Sequence, residues 1–229
     1  MDSLKPFVLP VEAREPERDG ALDIYPPDDN AAPRPAVLLV HGGPLPPQVR
    51  PIPQDWPVYR GYASLLAGRG VVAATVGHRL HSPAAYPTAA DDVRAAAEKL
   101  RADPRVDADR VGLWFFSGGG PLAAGWLRDP PAWLRVVALT YPLLAPLPGW
   151  PIEPVTEVGD VPVVLTRVGL ENPAVAEGVE AFVTAAAKAR LEIIDVPHGR
   201  HGFDYLDDDD ESRAAIEEAV GRALDQLPT

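Results

Sequence analysis

The chain contains no cysteine. That excludes disulfides, thiolate metal sites and cysteine nucleophiles, and it fits a cytoplasmic protein. Positive charge is scarce: 21 Lys and Arg stand against 33 Asp and Glu, a net charge of −12. This balance argues against nucleic acid or an anionic membrane surface as the main partner. The five histidines form no cluster, so neither a metal nor any other cofactor is expected. No apolar stretch approaches the ~18–20 residues a membrane span needs. From Met1 to Glu15 no apolar run is flanked by basic residues, so no signal peptide is expected.

What is present reads as one α/β domain over residues 1–229. The length of 229 residues and the 46% hydrophobic content are enough for a sizeable core. The 28 prolines sit largely in loops. Apolar, β-branched runs at Ala36–Val40, Val71–Val76, Arg110–Phe116, Leu134–Tyr141, Val161–Arg167 and Leu191–Val196 predict strands. Helical spacing links Tyr59, Tyr62, Ala63 and Leu66, then Val93, Ala96, Ala97 and Leu100. Pro121 suits the first turn of a helix carrying Leu122 and Trp126. Asn172 is placed to cap a helix through Phe182 and Val183, with Pro173 in its first turn. A last helix carries Ile216, Val220 and Leu224, and the acidic run Asp207–Glu211 reads as its start. Such alternation predicts a mostly parallel central sheet with helices on both faces. Phe7–Pro10 and Ala21–Tyr25 predict an antiparallel N-terminal hairpin at one sheet edge.

In sheets of this kind chemistry gathers at the carboxyl ends of the strands. One strand runs into Ser117-Gly118-Gly119-Gly120. A serine on such a turn exposes its hydroxyl, and the Gly118 N–H and the following helix start face any oxyanion formed on attack. No lysine follows the glycines, which excludes a phosphate-binding P-loop. A serine nucleophile needs a base, and His198 and His201 follow the last strand. Between serine and histidine, only Glu171 lies just past a strand end. Asp160 precedes its strand, Glu177 and Glu180 lie on a helix, and Glu192 and Asp195 lie within a strand. Asp204, close to His201 in sequence, is the second candidate.

These residues resemble the α/β-hydrolase family, and more narrowly its dienelactone-hydrolase-like and small carboxylesterase branch. The resemblance spans nearly the whole chain, from His41-Gly42-Gly43-Pro44 through Asp107-Ala108-Asp109-Arg110-Val111 to His201-Gly202-Phe203-Asp204. It implies an α/β-hydrolase fold without a separate lid domain. It also implies a Ser117, His201 and Glu171 triad cleaving an ester or lactone, since His201 is the histidine directly before Gly-Phe. The family usually carries Asp where Glu171 stands. Its G-x-S-x-G pattern has Gly where this chain has Phe115, a side chain expected to crowd the following helix and open or shift the turn. The Gly43 N–H is the expected second oxyanion donor beside Gly118, whereas Pro44 has no N–H to offer. His41 is expected to be structural. Trp56, Tyr59 and Trp150, on Pro-rich segments, and Arg79 are expected to touch substrate around an open pocket. The expected partner is a small ester-like molecule, handled by a monomer or homodimer. The same residues would also serve a thioesterase, an amidase or an acyl transferase. A non-catalytic binding member of the fold is the remaining alternative. The His-Gly-Gly-Pro run is shared with prolyl peptidases, whose propeller or helical lid this chain lacks.

Overall fold

A computed structural model describes residues 4–29 and 31–227. Its centre is an eight-stranded sheet in the order β1-β2-β4-β3-β5-β6-β7-β8. The strands are β1 Glu17–Asp19, β2 Leu22–Tyr25, β3 Arg34–Val40, β4 Val72–Val76, β5 Val106–Phe116, β6 Leu134–Thr140, β7 Val163–Leu170 and β8 Leu191–Arg200. From β4 to β8 every neighbouring pair is parallel. The pairs β1–β2 and β2–β4 are antiparallel. The helices are α1 Pro57–Gly68, α2 Tyr86–Arg101, α3 Ala124–Arg128, α4 Pro173–Ala185, α5 Phe203–Leu206 and α6 Asp210–Asp225.

The central strands are buried on both faces, which is why they read as continuous apolar runs rather than as alternation. Along β5, Val111, Leu113 and Phe115 belong to one buried cluster, with α2, Leu127 of α3, and Val179 and Phe182 of α4. Trp114 and Phe116 point the other way, into the cluster built with α1 and α6. The sheet is thus sandwiched between two helical layers. Asn172 caps α4 by accepting from the Ala174 N–H, and Asp209 caps α6 by accepting from the Ser212 N–H.

The hairpin lies at the predicted edge but is built from other residues. Phe7–Pro10 is not a strand; the tight turn at Gly20, where φ is +67°, joins Glu17–Asp19 to Leu22–Tyr25. Phe7 is used in packing instead. Its ring lies 4.8 Å from that of Tyr62, over Gly61, where a Cβ would overlap it. The Val8 N–H then donates to the Asp204 carbonyl at 3.0 Å.

β7 and β8 run further than their apolar stretches suggest, to Leu170 and Arg200. Leu170 pairs with Arg200 in the final register position, after an irregularity following Val168. Gly169 permits this, because a Cβ there would collide with the Pro197 carbonyl. The extension sets Glu171 and His201 side by side, each one residue past a paired strand end.

Candidate active site

Ser117 closes β5 with φ at +52°. A non-glycine residue in the left-handed region is strained, and such strain persists where surrounding packing imposes it. Here the imposing contacts are backbone to backbone. A Cβ on Gly118 would overlap the Gly43 carbonyl oxygen, so only glycine lets the loop after β3 lie against this turn. Tyr86 of α2 adds a tether, its hydroxyl donating to the Gly118 carbonyl at 2.8 Å. The Leu143 N–H donates to the Ser117 carbonyl at 2.9 Å.

Phe115 does not disrupt the turn. It is fully buried among the residues of the α2 side. The next segment is not one continuous α-helix: Ser117–Ala123 winds as a 3-10 helix, and α3 begins only at Ala124.

The Ser117 Oγ lies 2.7 Å from His201 Nε2. His201 Nδ1 lies 2.6 Å from Glu171 Oε2. The other oxygen of Glu171, Oε1, accepts the Asn172 N–H at 2.7 Å. This side chain is almost wholly buried, so both oxygens are fixed and the imidazole has one carboxylate to orient on. With Nδ1–H donating to Glu171, Nε2 is free to accept the serine proton.

The remaining carboxylates and histidines lie apart from this line. His198 is on the exposed part of β8 and bonds to Glu211. Glu180 and Asp195 pair with Arg167, Glu192 pairs with Arg222, and Asp160 is paired with Arg190 at 3.4 Å. Asp204 is completely buried and accepts the Tyr141 hydroxyl on both oxygens at 2.9 Å. The Tyr62 hydroxyl also faces this carboxylate and lowers its pKa, at a longer reach than the Tyr141 hydroxyl. Burial pushes the Asp204 carboxyl up to about 7, against the lowering pull of the Tyr141 hydroxyl. His41 is buried and stacked on His78, ring centres 3.7 Å apart. Its Nδ1 bonds to the Gly42 carbonyl at 2.6 Å, and burial keeps it well below the usual histidine range. It shapes the loop after β3.

Two cavities meet at Ser117. The larger, about 350 Å³, is lined by Leu143, Leu147, Trp150, Leu170 and Val175 beside Gly43, Gly118, Glu171, Asn172 and His201. The smaller, about 210 Å³, is lined by Leu45, Trp56, Tyr59, Tyr141 and Tyr205 beside the Gly42–Pro44 loop. Both Pro-rich segments therefore border the site. Gly43 and Gly118 both line the larger cavity beside Ser117. Tyr59 is also tied into the loop, its hydroxyl accepting the Gly42 N–H at 3.2 Å. Arg79 lies elsewhere. Its backbone N–H and its guanidinium both bond to Asp92 of α2, and it lines neither cavity. The reason is local: β4 and α2 are consecutive, and the exposed guanidinium finds a carboxylate at once.

Sequence reasoning missed Tyr141. It follows β6 with φ at +37°, and its ring lies 4.8 Å from that of His201. Its place after a strand's carboxyl end was the available signal. The apolar lining of the larger cavity was also missed, because single leucines in a loop carry no pattern. Among the described residues no three or more His, Asp or Glu side chains are grouped to hold a metal ion, and no helix is long and apolar enough to cross a membrane.

The mostly parallel sheet, the strained serine after β5 and the carboxylate and histidine after β7 and β8 are those of an α/β-hydrolase fold, and the chain has that fold. Residues 22–126, fewer than half of the chain, match the model of the BD-FAE family. The solved structures similar to it include esterase 2 of Thermogutta terrifontis. Its apo form is 19% identical, with a TM-score of 0.67 over 96% of this chain and 96% of that one. The butyrate-bound form gives 20% identity and 0.66 over 95% and 93%. The form phosphonylated by cyclosarin gives 20% and 0.65 over 93% and 91%. None of the curated proteins matches the chain in sequence.

Proposed function

We propose that this protein is a serine hydrolase that cleaves carboxylic esters through an acyl-enzyme. The observation that carries the reading is the continuous line from Ser117 Oγ to His201 Nε2 at 2.7 Å and from His201 Nδ1 to Glu171 at 2.6 Å. The likeness to structures of an esterase, one of them phosphonylated and one holding butyrate, supports the same reaction class.

In this reading Ser117 Oγ attacks the ester carbonyl carbon while its proton passes to His201 Nε2. Glu171 stabilises the imidazolium that results. The carbonyl oxygen, now an oxyanion, takes hydrogen bonds from the N–H groups of Gly43 and Gly118, which border the cavity beside Ser117. His201 gives its proton to the alcohol oxygen as the C–O bond breaks. A water then loses a proton to His201 and attacks the acyl carbon, and Ser117 leaves with the proton returned. No step calls on a metal or an organic cofactor.

The test is covalent labelling. The folded protein is mixed with a fluorophosphonate and the adduct located by intact mass and peptide mapping. A single adduct on Ser117, absent in Ser117→Ala and strongly slowed in His201→Ala, is expected. A folded protein that takes no label, or takes it elsewhere, refutes the reading.

A further inference from the structure

Among the described residues, apart from His201 and Glu171, which are bonded to each other, no charged side chain lines either cavity at Ser117. The arginines on the strand ends around the site are all committed to carboxylates. Arg79 holds Asp92, Arg167 holds Asp195 and Glu180, and Arg200 holds Asp207. The larger cavity is walled by leucine, valine and tryptophan. Its mouth carries Leu170, a large apolar side chain that is 59% exposed and directly precedes Glu171. The smaller cavity offers phenol hydroxyls and indole, again without a cation. The molecule as a whole carries −12, so its long-range field also disfavours anions.

Resting on the serine-hydrolase reading, we infer that the substrate is a neutral ester with an apolar acyl group, and that esters bearing a carboxylate on either half are disfavoured. A carboxylate brought into these cavities would lose hydration and gain no cationic partner, which is costly. This separates the site from one built for anionic lactones or hemiesters, which needs an arginine or lysine facing the bound acid. Leu170 is the position where a cation would reverse the choice. An arginine there can keep its head in water and its stem against the cavity.

The experiment compares kcat/KM for 4-nitrophenyl butyrate and 4-nitrophenyl hemisuccinate, which differ at the acyl end by a carboxylate. It does the same for ethyl butyrate and butyryloxyacetate, which differ at the alcohol end. The neutral member of each pair is expected to be faster by roughly 10- to 100-fold, since the cavities are open and part of the charge penalty is relieved by water. Leu170→Arg is expected to narrow the acyl-side ratio. Equal rates, or faster turnover of the anionic member, overturn the inference, as does an enzyme that labels with fluorophosphonate yet turns over no neutral ester. If the folded protein neither labels nor turns over any ester, the serine-hydrolase reading itself has failed, and this inference falls with it.

Discussion

Asp204 is a fully buried carboxyl near the site, and the cost of burying it depends on pH. The carboxyl is fully buried, with the Tyr141 hydroxyl bonded to both oxygens and no arginine or lysine among the groups acting on it. Its pKa is pushed from 3.8 to about 7, first by burial. Between these two values the unfolded chain is ionised there and the folded chain is not. The folded state then binds the extra proton, so stability falls as pH rises from about 4 to about 7 and is level above. A rise of about three units, at ~1.4 kcal/mol each, puts the cost near 4 kcal/mol at pH 8. In Asp204→Asn the neutral side chain keeps an oxygen to accept the Tyr141 hydroxyl and removes this ionisation. Urea unfolding of both proteins at pH 4.5, 6 and 8 measures the difference. Relative to wild type, the Asn variant should gain steadily between pH 4.5 and 8, by a few kcal/mol. For a chain of this size that is about 2–4 °C in Tm per kcal/mol. A stability difference that stays flat across this range would show that Asp204 does not titrate as argued, whatever the absolute stability of the variant.

Two further outcomes follow from the same geometry. Glu171→Gln keeps the shape but replaces the acceptor facing His201 Nδ1, so kcat should fall by roughly 10⁴-fold with KM little changed; a loss under tenfold in steady-state hydrolysis would remove Glu171 from the triad. His78 is held at about 4 by burial against His41, so the unfolded chain takes up its proton first as pH falls, and this contribution to stability is present above about 6.5 and lost toward 4. His78→Gln should flatten that part of the unfolding profile, and an unchanged acid limb would count against it.

The fold was legible because the central strands are buried on both faces. Runs such as Ala36–Val40 and Leu134–Tyr141 leave little choice but interior strands between helices. The errors fall where backbone pairing outlasts the apolar pattern. Pro197-His198-Gly199-Arg200 carries polar residues and a proline, and nothing in it signals strand, yet it continues β8 because Gly169 lets β7 approach it closely. At the other end Phe7-Val8-Leu9 has the composition of a strand, but Phe7 finds a better partner in the Tyr62 ring over Gly61 than any sheet edge offers. Local composition cannot rank those alternatives, since both bury the same apolar surface.

The candidate site divides along the same line. That Ser117, His201 and Glu171 come together was legible because chain order and position past a strand end constrain them strongly. Choosing Glu171 over Asp204 by place in the chain agrees with the geometry for a reason the sequence does not display. The two acids flank one histidine. One sits at the strand end with a bond to each oxygen, and the other is sealed beneath the Tyr141 ring. An acid that orients imidazole must remain ionised beside it. Glu171 turns one oxygen to the His201 N–H and the other to the Asn172 N–H. Asp204 is fully buried, and that burial favours its neutral form more than the hydroxyls of Tyr141 and Tyr62 and the nearby His201 oppose it. The bond to His201 Nδ1, and not distance along the chain, separates two carboxylates that sequence ranks only by position. Arg79 illustrates the converse. A charged residue past a strand end is a candidate ligand only while no carboxylate on the next helix can reach it, and Asp92 does.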